Sequence, residues 1–194
     1  MTNLTCDEAL RLMTDGFPIE KCIVTERLDI RRLGDLIEFD VIIRDSVIIF
    51  FDCPSVEFKG KVLIENCQIV KSAFNYAYFI NGLEIRNSSF KEYVDFEAGG
   101  HNENGAIILD ENSFNGFVNF FDCWFKGPVI IKGNVFGKGS NLLGNKEEEY
   151  KSVFDGIAII ENNTGRVDLD GEGDKQVNVI YFNRETGEGF NALQ

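Results

Sequence analysis

The one histidine, His101, lies in a Gly-rich stretch from Gly99 to Gly105 with Glu103 two residues on. An imidazole beside a carboxylate is the least that general acid–base work requires. The pattern sets no second histidine and no nucleophile near it, so a surface-loop residue is the expectation. No GxSxG, Walker, HExxH or dinucleotide fingerprint occurs in the sequence. From Asp168 to Asp174, acidic residues stand at positions one, three, five and seven with Gly173 at six, as in an EF-hand calcium loop. Position twelve is Val179 where such a loop needs a bidentate glutamate, so an acidic turn without metal is the better reading. The five cysteines, Cys6, Cys22, Cys53, Cys67 and Cys123, have neither CxxC spacing nor a zinc-type pairing with the histidine, which predicts small buried thiols. No catalytic residue, cofactor or metal is therefore expected.

Charge narrows the partners. The 194 residues carry 19 basic against 32 acidic side chains, a net charge of -13. Sequence-independent nucleic-acid binding needs clustered Lys and Arg to release counterions, so a direct nucleic-acid partner is excluded and a basic partner fits better. The N-terminus has no basic segment followed by an apolar run, and no window approaches a membrane span. A cytoplasmic protein with no membrane contact is the expectation. The glycosylation patterns at Asn3, Asn87 and Asn162 carry meaning only on a secretory route.

The elements that position these residues come from a repetition. Six similar phrases begin at Val41, Val62, Leu83, Ala106, Val129 and Ala158. Large apolar residues follow one another at a spacing of five or six: Ile43, Ile48, Cys53, Phe58, then Ile64, Ile69, Phe74, Phe79, then Ile85, Phe90, Phe96. The series resumes at Ile108, Phe114, Phe120, Phe125, Ile131 and Phe136, so that first residues of successive units lie 21, 21, 23 and 23 apart. Two positions before each stands a small or β-branched residue, such as Val41, Ser46, Val62, Cys67, Ser88, Val118 or Cys123. A helix at 3.6 residues per turn would smear a five-residue period around its circumference. A coil with four short sides uses it, one large and one small inward side chain per side. Eighteen phenylalanines and only three prolines also favour strands.

The segments Leu83-Glu-Ile-Arg-Asn-Ser-Ser-Phe-Lys-Glu92 and Val118-Asn-Phe-Phe-Asp-Cys-Trp-Phe-Lys-Gly127 resemble the pentapeptide-repeat family, whose units have a small residue, a polar residue, then Leu or Phe, then two variable positions. The resemblance covers about Val41 to Gly165 and implies an all-β fold, a right-handed parallel β-helix of square section. The chain departs from that pattern by an extra residue at most coils' last corner, marked by Gly60, Gly82 and Gly127. Some members of that family mimic duplex DNA and bind topoisomerases, which makes such mimicry an alternative function.

Three parts are expected: a capping helix and irregular first coil over 1–39, the β-helix over 40–171 with a loop insertion at 137–152, and a closing strand and tail over 172–194. The helix signal is Thr5 as N-cap with Glu8 as capping-box partner, then Ala9, Leu10, Leu12 and Met13, stopped by Gly16. Residues Ile23, Leu28 and Leu33 mark the first coil. A terminal unit of a stack needs such a cover.

If large and small sets point inward, the residue between them points out. On the first side that column reads Ile42, Leu63, Glu84, Ile107, Ile130 and Ile159, and on the fourth it includes Glu57, Tyr78, Trp124 and Val153. Exposed isoleucine columns are uncommon on a monomer, and exposed aromatics mark interfaces. The residues Ile42, Leu63, Ile107, Ile130, Ile159, Tyr78 and Trp124 therefore form the candidate interaction surface of a non-enzymatic scaffold, for a protein partner or a second copy in a homodimer. The other outward first-side column, Arg44, Glu65, Arg86, Leu109, Lys132 and Glu161, alternates in sign as a salt-bridge ladder does. It lacks the clustered carboxylates of a polysaccharide-cleaving or carbohydrate-binding β-helix, the remaining alternative.

Overall fold

The computed structural model describes residues 1–146, 149–172, 180–183 and 188–191. It is a right-handed parallel β-solenoid of about six turns with one short helix at its N-terminal end. The first side is a sheet of parallel strands in sequence order: Ile19–Glu20, Val41–Arg44, Val62–Glu65, Leu83–Arg86, Ile107–Asp110, Val129–Lys132 and Ala158–Glu161. The second side stacks Cys22–Asp29, Val47–Asp52, Gln68–Ala73, Ser89–Phe90, Ser113–Phe114 and Val135–Phe136 in the same way. The fourth side is made of pairs such as Glu57–Phe58, Tyr78–Phe79, Trp124–Phe125 and Val153–Phe154. A short third side includes Val94–Asp95 on Val118–Asn119.

Parallel stacking puts like residues over like, so the interior is built from columns. Phe74, Phe79, Phe120 and Phe125 are all buried. Phe74, Phe96 and Phe120 stack with ring centroids 4.8 and 5.0 Å apart, and Phe90, Phe114 and Phe136 at 5.0 and 5.3 Å. No unit buries its apolar face alone; each needs the next to close its backbone hydrogen bonds and cover its rings.

The N-terminal end is closed as expected. The helix Cys6–Thr14 is capped by Thr5, whose backbone N–H donates to Glu8 Oε2 at 2.8 Å while its hydroxyl accepts from Glu8 N. Ala9, Leu10 and Met13 are buried against the first coil. That coil is more regular than the spacing of Ile23, Leu28 and Leu33 suggests. Ile19, Val24, Leu28, Ile30 and Ile37 point inward, and Ile23 is half-buried because Val24, not Ile23, pairs with Ile48.

Two expectations change. The insertion at 137–152 is narrower, since Ser140 pairs with Val118, Asn141 Oδ1 accepts from Phe120 N at 2.6 Å, and Leu142 is buried. This stretch begins as part of the coil. Beyond residue 172, Ile180–Asn183 and Glu188–Asn191 extend the first-side sheet as antiparallel strands, and the rest of the expected tail lies outside the described residues. No described helix is long and apolar enough to cross a membrane.

Candidate interaction surface

The first side corrects the expected register. Ile107 pairs with Leu83 and Leu109 with Ile85, so Ile107 and Leu109 point inward and Ile108 outward. Ile107, expected on the outer face, is only 3 % exposed. The cause is the length of the preceding loop: the step from Ile85 to its counterpart is 24 residues, and the run Ala106 to Leu109 is apolar throughout, so alternation alone admits both registers. The outer column is therefore Ile42, Leu63, Glu84, Ile108, Ile130 and Ile159. Ile42 beside Leu63 and Ile108 beside Ile130 are half-buried, with Glu84 between the two pairs, whereas Ile159 on the rung above Ile130 is exposed. Burial works to raise the Glu84 carboxyl, but Lys61 at 2.6 Å and Arg86 at 3.3 Å outweigh it and hold it below the usual carboxylate range.

The same shift perfects the charge ladder. Asp110, not Leu109, stands in the column, which now reads Arg44, Glu65, Arg86, Asp110, Lys132 and Glu161. Its pairs Arg44–Glu65, Arg86–Asp110 and Lys132–Glu161 meet at 3.4, 2.6 and 2.8 Å. Exposed pairs of this kind contribute about 0 to 1 kcal/mol each. Their main effect is to neutralise this face.

The fourth side holds what the spacing did not show. Gly100 bridges Tyr78 below and Trp124 above, so the next residue, His101, falls at the position where Phe79 and Phe125 have inward rings. Gly100 at φ +100 and His101 at φ +53 lie in the left-handed region, which turns the imidazole outward. A small apolar void between Phe79, Gly100, Cys123 and Phe125 marks the missing inward side chain. The ejected ring packs between its neighbours, 4.0 Å from the Tyr78 centroid and edge-on to Trp124 at 5.5 Å. Tyr78, His101 and Trp124 thus form one aromatic column. Asn102 secures the turn, its amide donating to Gly105 O at 2.9 Å and Pro128 O at 3.0 Å.

Charged groups frame that column. Lys126 Nζ lies 4.8 Å from the Trp124 ring centroid and 2.5 Å from Glu103 Oε1, and Trp124 Nε1 donates to Asp155 Oδ2 at 2.6 Å. Burial, then the Lys126 charge, holds His101 below the usual imidazole range. The sign of the pH effect follows: the unfolded chain takes up this proton near pH 6.5 while the folded chain resists it, so stability falls as pH drops below that value. Urea unfolding at pH 7.5 and 5.5 should show this loss in wild type and a smaller one in His101→Asn, which suits the same left-handed backbone. An equal loss in both would contradict the assignment.

Four of the exposed apolar residues flank the corner where the fourth side turns into the first. Trp124 is 44 % exposed, Val153 43 %, Ile157 65 % and Ile159 43 %. Trp124 and Val153 are strand partners, as are Ile130 and Ile159, and Val129 N donates to Ile157 O. These residues therefore stand on two successive rungs, on either side of one corner. Of the expected surface residues, the structure brings Trp124, Ile130 and Ile159 together here, with Tyr78 two rungs below; Ile42 and Leu63 lie at the other end. Ile157 was missed because it sits on a corner, outside the five-residue rhythm.

The remaining candidates for chemistry are engaged elsewhere. All five cysteines are buried thiols. Burial pushes Cys67 up to about 11 and raises Cys53 and Cys123, which keeps these three protonated. In the acidic turn, Asp168 pairs with Arg166, Asp170 Oδ1 accepts from Asn145 N at 2.7 Å, and Glu172 pairs with Lys138 at 3.3 Å; Gly173, Asp174 and Val179 lie outside the described residues. No protein-family model, no curated protein and no solved structure matches the chain.

Proposed function

We propose that this protein is a non-enzymatic β-helical scaffold, akin to the pentapeptide-repeat proteins, that associates with a second copy through the corner carrying Trp124, Val153, Ile157 and Ile159. One observation carries this reading: Trp124 and Val153 stand exposed as strand partners on two rungs, and Ile157 and Ile159 stand exposed where the upper of these rungs turns into the first side, a grouping that favours contact with another protein. Aromatic anchors such as Trp124 dominate the energetics of such contacts. A two-fold pairing would set the patch of one copy on the same patch of the next, with Lys126, Glu103 and Asp155 as its polar rim.

The groups that might have served catalysis have other roles in this reading. His101 is occupied by rings on both sides, and Glu103 is held by Lys126. The pairwise neutralisation of the first side favours a scaffold over duplex mimicry or polysaccharide cleavage. Because Trp124 is the only tryptophan, its emission reports on the patch directly. Raising protein concentration from nanomolar to tens of micromolar should shift that emission to the blue and reduce its quenching by acrylamide. Emission independent of concentration would overturn the proposal.

A further inference from the structure

Lower on the fourth side, a shallow groove of about 400 Å³ is lined by Asp35, Ser55, Val56, Glu57, Tyr76 and Tyr78. We infer that this groove receives a lysine or arginine side chain from a basic segment of a partner protein. The inference is independent of self-association, which uses the last rungs.

The chain itself supplies the template. On the same side, Lys126 lies over the Trp124 ring with Glu103 at 2.5 Å. Near the N-terminal end, Arg27 lies 5.3 Å from the Phe50 centroid with its Nε 2.6 Å from Asp52 Oδ2. Each is a cation held between a ring and a carboxylate. The groove repeats the ring and the carboxylate, twice over, without the cation: two phenols, Asp35 and Glu57, and no basic residue among those lining it. Among the described residues neither carboxylate is in a salt bridge, Asp35 feeling only a weak attraction from Arg31, although Glu65, Glu84, Asp110 and Glu161 on the first side are all in salt bridges.

Ring faces attract cations through their quadrupole, and a carboxylate beside the ring adds a separate charge-assisted contact to the same cation. Charge complementarity therefore selects the occupant, and a chain of net charge -13 favours its approach. Tyr76 adds a further observation. It holds φ +58 at a corner and is 47 % exposed. Bulky residues are disfavoured in that conformation, and the equivalent corner on other rungs carries Ser55, Ala98 and Asp122. Packing does not account for a tyrosine there; presenting its ring to the groove does.

The test is the binding of fluorescein-labelled tetra-arginine, with tetraserine as blank, at 150 mM salt, followed by anisotropy. Tyr76→Asn keeps the backbone, since Asn66, Asn87 and Asn162 hold left-handed corners elsewhere. It should weaken binding about 3- to 10-fold while the melting temperature stays or rises. Glu57→Gln should weaken binding similarly, and Glu111→Gln, on the diagonally opposite corner, should not. Absence of binding to wild type at millimolar peptide would overturn the inference. So would equal losses in Glu57→Gln and Glu111→Gln with none in Tyr76→Asn, the outcome of diffuse charge attraction.

Discussion

Asn134→Ala should lower the melting temperature by roughly 10 °C, from a loss of about 3 to 5 kcal/mol. Asn134 is fully buried at the corner between the first and second sides. Its amide donates to Leu109 O at 2.7 Å and Asn163 Oδ1 at 3.0 Å, and its carbonyl accepts from Asn112 N at 2.9 Å and Asn112 Nδ2 at 3.0 Å. The bonds continue in both directions. Asn163 Nδ2 donates to Ile131 O, and Asn112 donates to Ile85 O and accepts from Ser88 N. Truncation leaves Asn112 N–H and Leu109 C=O buried without these partners, each worth about 1 to 3 kcal/mol, and opens a cavity besides. Linked amides strengthen one another in a low dielectric, so loss in the middle exceeds loss at an end. Thermal unfolding checks this, with exposed Asn115→Ala as the near-neutral control; a shift below about 3 °C in Asn134→Ala would contradict the ladder.

Gly60→Ala should also be strongly destabilising, for the opposite reason. A Cβ at Gly60 would lie 2.0 Å from Phe39 O and 2.1 Å from Phe39 C. Both are backbone atoms of the rung beneath, and rungs only about 4.8 Å apart have nowhere to move. The coils would separate at this corner, costing roughly 3 kcal/mol or more. The same contact recurs at Gly127, where a Cβ would meet Asn102 O at 2.2 Å. Gly171→Ala, with nothing within 4 Å of its Cβ, is the control. Poor soluble yield or a melting temperature lowered by more than about 6 °C is expected for Gly60→Ala; a wild-type curve would show that the corner is not a close contact.

These two sites show what the amino-acid order reveals and what it hides. The five-residue recurrence of Phe and Ile makes the square coil legible, because only an inward column repeats in that way. Thr5 and Glu8 mark the helix start through a local capping box, with no need of tertiary information. Register after the Gly99 to Gly105 loop is not legible from apolar alternation, since Ile107, Ile108 and Leu109 are all suitable for the core. Charge would have settled it: only Asp110 opposite Arg86 and Lys132 keeps the signs alternating. The asparagine ladder also leaves a trace, because Asn112 and Asn134 stand two before Phe114 and Phe136, the place Ser46, Cys67 and Ser88 hold on earlier rungs. Polar residues there look like departures until the corner's buried carbonyls are counted.

His101 was hidden for a different reason. Its place beside Tyr78 and Trp124 depends on Gly100 and His101 both adopting positive φ, which ejects one side chain from the core and completes an outer ring column. Neither residue type nor spacing encodes that turn. The sites where chain order underdetermines the structure are thus the loop, the corners and the last rungs, and the proposed patch and groove both lie at corners.

Sedimentation velocity over a concentration series, comparing wild type with Ile157→Glu, tests the central claim most directly. Ile157 is 65 % exposed on a corner, so a glutamate there leaves the interior columns intact. Wild type should pass from monomer to dimer as concentration rises, and Ile157→Glu should sediment as a folded monomer throughout. A wild type that remains monomeric at every concentration, or a variant that dimerises as well as wild type, would contradict it.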